Sequence, residues 1–144
     1  MNSKRPVLLL EDDEVDAMSI ERAFEDLKIA NRLEIARDGE EGLRYLTDQT
    51  KEKPCLILLD LRMPKMGGVE FLKIIKRDKF LKMIPVVVMT TSIMEQDKKD
   101  AFDLGAAGYM VKPPEYAEFR SIIQTVDSYW TLSEMPPVIK QTGH

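Results

Sequence analysis

The sequence predicts an α/β domain with a doubly wound parallel sheet and helices on both faces. Five strand-like segments alternate with five helix-like segments along the chain, and such alternation is typical of this class. The first, third and fourth strand-like segments are almost continuously apolar, as in Val7-Leu8-Leu9-Leu10, which is typical of strands buried on both faces. With 144 residues, 44% of them hydrophobic, the chain is long enough to bury one core.

The predicted strands are short apolar runs bounded by polar or turn residues. The second is the weakest of them and the fifth is the shortest. They cover residues 7–11, 32–36, 55–60, 85–90 and 109–111.

The predicted helices cover residues 15–28, 40–50, 68–78, 94–104 and 114 to about 130. The fourth is polar, and we expect either low local stability or an ordinary solvated helix. The last helix has apolar residues at spacings of three and four, which form a wide stripe. Either the whole stripe faces the core, or one side covers the sheet and the remainder forms a surface for a partner. No repeat or linker divides the chain, so we predict one domain over 5–130 and a C-terminal tail over 131–144.

Composition excludes several classes of function. The formal net charge is −4, which does not favour a nucleic-acid backbone or an anionic membrane as a partner. No apolar run is long enough to cross a bilayer, and no signal-like stretch precedes the first strand. The single cysteine, Cys55, excludes an internal disulfide and a cysteine metal site, and we expect it to be buried in a strand. The expected compartment is the cytoplasm.

Acidic residues follow two of the predicted strands. Glu11, Asp12 and Asp13 end the first strand, and Asp60 ends the third. Ligands of open parallel sheets bind outside the carboxyl ends of the strands. If these two strands are neighbours, each pair of carboxylates repels by about 1 kcal/mol in water and about 4 kcal/mol at an effective dielectric near 20. The cluster must protonate, separate or bind a cation. Asp12 or Asp13 could instead cap the first helix, and we assign that role to Asp13.

These residues belong to a wider pattern that resembles a known family. Glu11-Asp12, the segment Leu-Asp-Leu-Arg-Met-Pro-Lys-Met-Gly-Gly through Asp60, Thr90, and Lys112-Pro113 each follow a predicted strand, in this order. Over residues 5–130 the chain resembles the receiver domain of two-component response regulators. It looks most like the small single-domain regulators that partner bacterial phytochromes. The resemblance implies a flavodoxin-like fold with five parallel strands in the order 2-1-3-4-5.

The resemblance also implies the chemistry of the site. Asp60 would be the nucleophile that accepts a phosphoryl group from the phosphohistidine of a sensor histidine kinase. Mg²⁺ would be bound by Asp12, Asp60 and the backbone carbonyl of Arg62, with Glu11 acting through water. Thr90 would donate its hydroxyl to the phosphoryl group, and Lys112 would pair with it.

Other residues would transmit or time the signal. Tyr109 occupies the position of the family's switch aromatic and would turn inward when Thr90 moves; the alternative is an ordinary half-buried strand tyrosine. Pro113 is expected to follow a cis peptide bond, and Pro114 suits the first turn of the last helix. Arg62 and Ser92, two residues after Asp60 and Thr90, would set the lifetime of the phosphate.

The resulting hypothesis is a phosphorylation-dependent signalling module and not a conventional enzyme. It would catalyse at most its own phosphorylation and slow autodephosphorylation. It would act through a downstream protein, a phosphotransfer protein or a homodimer formed by the last helix, and not on DNA. The alternative is a binding module on the same fold that works without phosphorylation.

Two enzyme classes fit less well. A dehalogenase-type phosphohydrolase needs an acid at the position of Arg62. An enzyme that hydrolyses nucleotides or binds dinucleotides would need a glycine-rich phosphate loop, and none follows the first strand. The only histidine, His144, lies at the chain end, where we expect neither a phosphodonor nor a metal ligand.

Overall fold

A computed structural model describes residues 1–137 and contains a five-stranded sheet in the order β2-β1-β3-β4-β5. Every neighbouring pair of strands is parallel, so the predicted fold class and strand order are confirmed. The strands are β1 (Val7–Leu10), β2 (Leu33–Ala36), β3 (Leu56–Leu59), β4 (Val86–Thr90) and β5 (Gly108–Val111).

Five helices connect and cover the strands. They are α1 (Glu14–Asp26), α2 (Gly39–Thr47), α3 (Gly68–Arg77), α4 (Glu95–Asp103) and α5 (Tyr116–Leu132). A 3₁₀ turn at Leu81–Met83, which the sequence analysis did not predict, precedes β4. Among residues 1–137, no helix has the length and apolar character needed to cross a membrane.

The sheet separates two apolar cores because successive strand residues point to opposite faces. In β1, Val7 and Leu9 pack with buried residues of α1 and α5. Leu8 and Leu10 pack with buried residues of α2 and α3. Strands β1 and β3 are buried along their whole length, so the residues that follow them emerge from a rigid layer.

Most helix boundaries differ from the predicted ones by one to three residues, and those of α2 and α5 differ as follows. Helix α2 ends at Thr47 and not at residue 50, because the extended Asp48 accepts hydrogen bonds from the backbone N–H of Thr50 at 2.9 Å and from its hydroxyl at 2.6 Å. This is the turn geometry that Asp side chains favour. Helix α5 begins at Tyr116 and not at Pro114, after an extended Glu115.

The C-terminal end of α5 also runs past the predicted domain limit. The helix continues to Leu132, and Met135 packs against the core on the α1 and α5 side. Part of the predicted tail, 131–144, therefore packs with the fold. Residues 138–144, including His144, lie outside the described residues.

Helices α4 and α5 differ in how they pack. In α4 only Ala101 is buried, which agrees with its polar sequence. In α5 the residues Phe119, Ile123, Val126 and Trp130 are buried, so most of the apolar stripe covers the sheet. Tyr129 stays 58% exposed.

Candidate functional site

The carboxyl ends of β1 and β3 bring the predicted acidic residues together. Leu10 pairs with Leu59 in the sheet register, so Glu11 and Asp60 leave the sheet side by side. Glu11 and Asp60 are 2% and 6% exposed, whereas Asp12 is exposed. Glu11, Asp12 and Asp60 each offer a carboxylate oxygen, and these oxygens lie within 4.8 Å of one another.

Lys112 supplies the positive charge of this cluster. Its Nζ lies 2.5 Å from Glu11 Oε1, 2.8 Å from Asp16 Oδ2 and 3.0 Å from Asp60 Oδ2. The backbone N–H of Lys112 donates to the Thr90 carbonyl at 2.8 Å, which extends the pairing of β4 with β5 by one residue. The sheet therefore aims this buried ammonium at the acidic cluster.

The electrostatics of the cluster follow from its burial. Burial is the largest influence on Glu11 and, with the nearby charge of Asp60, raises its pKa to about 8 despite the hydrogen bond from Lys112. Burial would lower the pKa of Lys112, but its contacts with Asp16, Glu11 and Asp60 outweigh this effect and raise the pKa above its ordinary value. Lys112 thus stays charged, and its ammonium contacts the acidic side chains of Glu11, Asp16 and Asp60 at once.

Thr90 and Tyr109 lie next to each other along the same edge. Thr90 ends β4 and is fully buried, and its Oγ1 accepts a hydrogen bond from the Ser92 N–H at 3.3 Å. The Tyr109 hydroxyl donates to the Ser92 carbonyl at 3.0 Å, and its ring lies 6.3 Å from that of Phe102 in α4. The loop after β4 thus contacts both predicted switch residues.

Gly68 sets how closely the loop after β3 packs on Asp60. A Cβ at this position would lie 2.5 Å from the Asp60 carbonyl oxygen and 2.7 Å from Leu61 Cα. The first turn of α3 can therefore approach the strand end only because residue 68 has no side chain.

The chain also matches the model of a known protein family. The family model described as the response regulator receiver domain matches residues 7–124. The chain belongs to this family.

Two similar proteins are of comparable length. The probable methanogenesis regulatory protein FilR2 of Methanothrix harundinacea is 39% identical over 127 residues, covering 86% of this chain and 82% of that protein. The response regulator Rcp1 of Synechocystis is 35% identical over 133 residues, covering 90% of each.

Solved structures show the same likeness. The crystal structure of the Mn²⁺-bound form of Rcp1 matches with a TM-score of 0.85 at 34% identity, covering 94% of this chain and 100% of that one. The phosphorylated cyanobacterial phytochrome response regulator RcpA matches with a TM-score of 0.84 at 33% identity, covering 93% and 99%.

In this structure, Arg62 hydrogen-bonds to Asp60 through its backbone. Its N–H donates to Asp60 Oδ1 at 3.2 Å. Its side chain turns away, and the guanidinium donates to Asp97 in α4 and lies 3.6 Å from Met94 Sδ. The Ser92 hydroxyl donates to the same Asp97 oxygen.

Two site residues were missed by the sequence analysis. Asp16 binds Lys112 and Asp97 binds Arg62, across separations of 96 and 35 residues. Asp16 could have been found, since it lies in the first turn of α1, four residues after Asp12. The predicted cap is confirmed, because the Asp13 side chain accepts from the Asp16 N–H at 3.0 Å. Nothing in the sequence around Asp97 distinguishes it from the other charges of α4.

The expected cis bond before Pro113 is wrong for this structure. Every peptide bond among residues 1–137 is trans. The trans form of a bond before proline is favoured by about 0.5–1 kcal/mol. Lys112 already reaches Asp60 from a trans loop, so its placement does not require the cis form.

Proposed function

We propose that the protein is a phosphoacceptor switch in which Asp60 takes a phosphoryl group from a phosphohistidine of a sensor histidine kinase. The observation that supports this most directly is the placement of Asp60, which is held at a strand end with Lys112 at 3.0 Å and two further carboxylates beside it. In the transfer, an Asp60 carboxylate oxygen forms a bond to phosphorus, and the bond between phosphorus and the kinase imidazole nitrogen breaks. A rigidly held carboxylate favours such in-line attack.

The donor set fits Mg²⁺, which prefers carboxylate and carbonyl oxygens together with waters. Asp12, Asp60 and the Arg62 carbonyl would bind the ion, with Glu11 acting through water. When bound, the ion neutralises charge on the transferred phosphoryl group. The Mn²⁺-bound form of the relative Rcp1 supports a divalent ion at this edge.

Thr90, Lys112 and Tyr109 would respond to the new charge, which is about −1.5 to −2 for a phosphoryl group near neutral pH. Lys112 pairs with the phosphoryl oxygens, and the Thr90 hydroxyl donates to one of them. Because Tyr109 and Thr90 both contact Ser92, a movement of Thr90 changes the loop that holds the Tyr109 ring. The surface around α4, β5 and α5 then changes, which is a local charge event acting on a two-state element.

The partners follow from this scheme. One partner is a sensor histidine kinase, and the likeness to the phytochrome response regulator RcpA favours a photoreceptor kinase. The other is a downstream target or a phosphotransfer protein. Both would be met in the cytoplasm. A homodimer through α5 would use the exposed face of that helix, on which Tyr129 and Leu132 are the large apolar residues. A monomeric solution mass with and without a phosphoryl mimic would exclude this dimer.

The deciding experiment is intact mass after incubation with acetyl phosphate, which removes the need for the kinase. We expect a gain of one phosphoryl group on the wild type with Mg²⁺, no gain with chelator, and no gain on Asp60→Asn. A wild type that gains nothing would favour the alternative, a binding module that works without phosphorylation. The assigned roles of Glu11, Asp12, Thr90 and Lys112 would then have to be withdrawn.

A further inference from the structure

Asp97 joins two loops of the site. Its Oδ2 accepts from the guanidinium of Arg62, in the loop after β3, and from the hydroxyl of Ser92, in the loop after β4. The Asp97 side chain is only 14% exposed, whereas that of Arg62 is 59% exposed. The carboxylate is therefore the more buried member of the pair, and the guanidinium is the more exposed one.

Both residues whose side chains bind Asp97 contact the site through their backbone. The backbone N–H of Arg62 donates to Asp60 Oδ1, and that of Ser92 donates to Thr90 Oγ1. A single carboxylate of α4 therefore decides where these two side chains point relative to Asp60.

We propose that Asp97 is a positioning residue that shortens the life of the aspartyl phosphate by holding the Arg62 guanidinium away from Asp60. This inference rests on the proposed function. In the hydrolysis, a water oxygen bonds to phosphorus and the bond between phosphorus and the Asp60 oxygen breaks. Asp60 returns to a carboxylate, inorganic phosphate leaves, and the proton of the water passes to phosphate or solvent.

The physical basis is competition for one cation. A guanidinium binds phosphoryl oxygens with two parallel hydrogen bonds, and in that position it would cover phosphorus from water. Asp97 offers the same cation a carboxylate whose position is fixed by α4 and by Ser92. While Asp97 keeps Arg62, the water path to phosphorus stays open.

The test follows phosphoryl loss by intact mass after acetyl phosphate is removed, in the presence of Mg²⁺. Asp97→Asn keeps the shape but removes the charge, and we expect a half-life longer by about twofold to fivefold, the range that a partly exposed ion pair supports. Asp97→Ser, a second charge-free variant, should act in the same direction. Asp97→Glu keeps the carboxylate and should stay nearer the wild type. Asp103→Asn is the matched control, because Asp103 is in the same helix and pairs with Lys99, away from Arg62.

The Arg62→Ala background separates positioning from a general effect on α4. Arg62→Ala alone should not lengthen the half-life, because no guanidinium is left to cover phosphorus, and adding Asp97→Asn should then change it no further. An Asp97→Asn half-life equal to or shorter than that of the wild type would overturn the inference. The same lengthening in both backgrounds would also overturn it. A wild type that takes up no phosphoryl group at all refutes the proposed function itself, and the inference with it.

Discussion

The ammonium of Lys112 lies closer to Asp16 than to Asp60, at 2.8 Å from Asp16 Oδ2 against 3.0 Å from Asp60 Oδ2. Asp16 is 25% exposed, whereas Asp60 is almost fully buried. In the proposed switch, a phosphoryl group on Asp60 would compete with Asp16 for Lys112, and the strength of the Asp16 contact would set part of the switching free energy.

We predict that Asp16→Asn binds the phosphoryl mimic beryllium fluoride more tightly than the wild type, by about threefold. The substitution removes a competitor for Lys112 and one nearby negative charge, and both changes favour the anion. Isothermal titration in Mg²⁺ measures the affinity. Asp26→Asn, in the same helix but bound to Tyr116, should leave it unchanged. Equal affinities of wild type and Asp16→Asn would show that Asp16 does not compete.

Lys112→Ala should destabilise the metal-free protein. It leaves the buried Asp60 carboxylate without its cation and Glu11 without its hydrogen-bond donor, a loss of about 3 kcal/mol in comparable buried pairs. Urea unfolding at neutral pH measures this loss, and added Mg²⁺ should restore part of it. Lys99→Ala, which breaks an exposed ion pair with Asp103, should change stability very little. A Lys112→Ala protein as stable as the wild type would mean that the buried acidic cluster does not depend on this ammonium.

The raised pKa of Glu11 predicts how metal-free stability depends on pH. Between the ordinary value of 4.5 and about 8, the folded protein keeps a proton that the unfolded chain releases. The free energy of unfolding therefore falls as pH rises through this window. We expect the thermal midpoint to drop by about 3 °C or more between pH 6 and 8 in chelator.

Two controls test the assignment to Glu11. Glu11→Gln should flatten the slope, and an unchanged slope would place the proton on another group. Stabilisation of the wild type by Mg²⁺ should be greater at pH 8 than at pH 6, because metal ligands must be deprotonated.

The close approach at Gly68 predicts a cost for any side chain there. Gly68→Ala forces the loop off the Asp60 carbonyl, and we expect a loss of about 1–3 kcal/mol in stability and slower phosphorylation by acetyl phosphate. At Gly108 the nearest atom to an added Cβ is a Val87 methyl at 3.8 Å, so Gly108→Ala should be tolerated. Urea unfolding and intact mass compare the two, and equal behaviour would contradict the steric argument.

Apolar runs and chain alternation were sufficient to predict the sheet. Strands β1, β3 and β4 are buried on both faces, and a two-sided core requires just such uninterrupted runs. Glu11, Asp12 and Asp60 could be expected at one edge if their strands are neighbours, because parallel strands place their carboxyl ends together. The strand order and the place of Lys112 came from the resemblance to receiver domains. The 3₁₀ turn at Leu81–Met83 was missed because its residues show no helical or strand period.

The contacts that distinguish this receiver could not be read from the sequence. Asp16 and Asp97 act on side chains far away in the chain, and their roles depend on where α1 and α4 dock. The end of α2 depended on the side chain of Asp48 binding Thr50, a local competition that apolar periodicity does not record. Side-chain direction, more than element type, was the missing information.

The sparse packing of α4 has a thermodynamic consequence. Because Ala101 is its only buried residue, a displacement of this helix would expose little apolar surface, and the accompanying change in heat capacity would be small. The contacts that hold its first turn are polar and partly exposed, so ionic strength would weaken them. A switch built in this way would keep nearly the same set point across growth temperatures, while responding to the salt content of its surroundings.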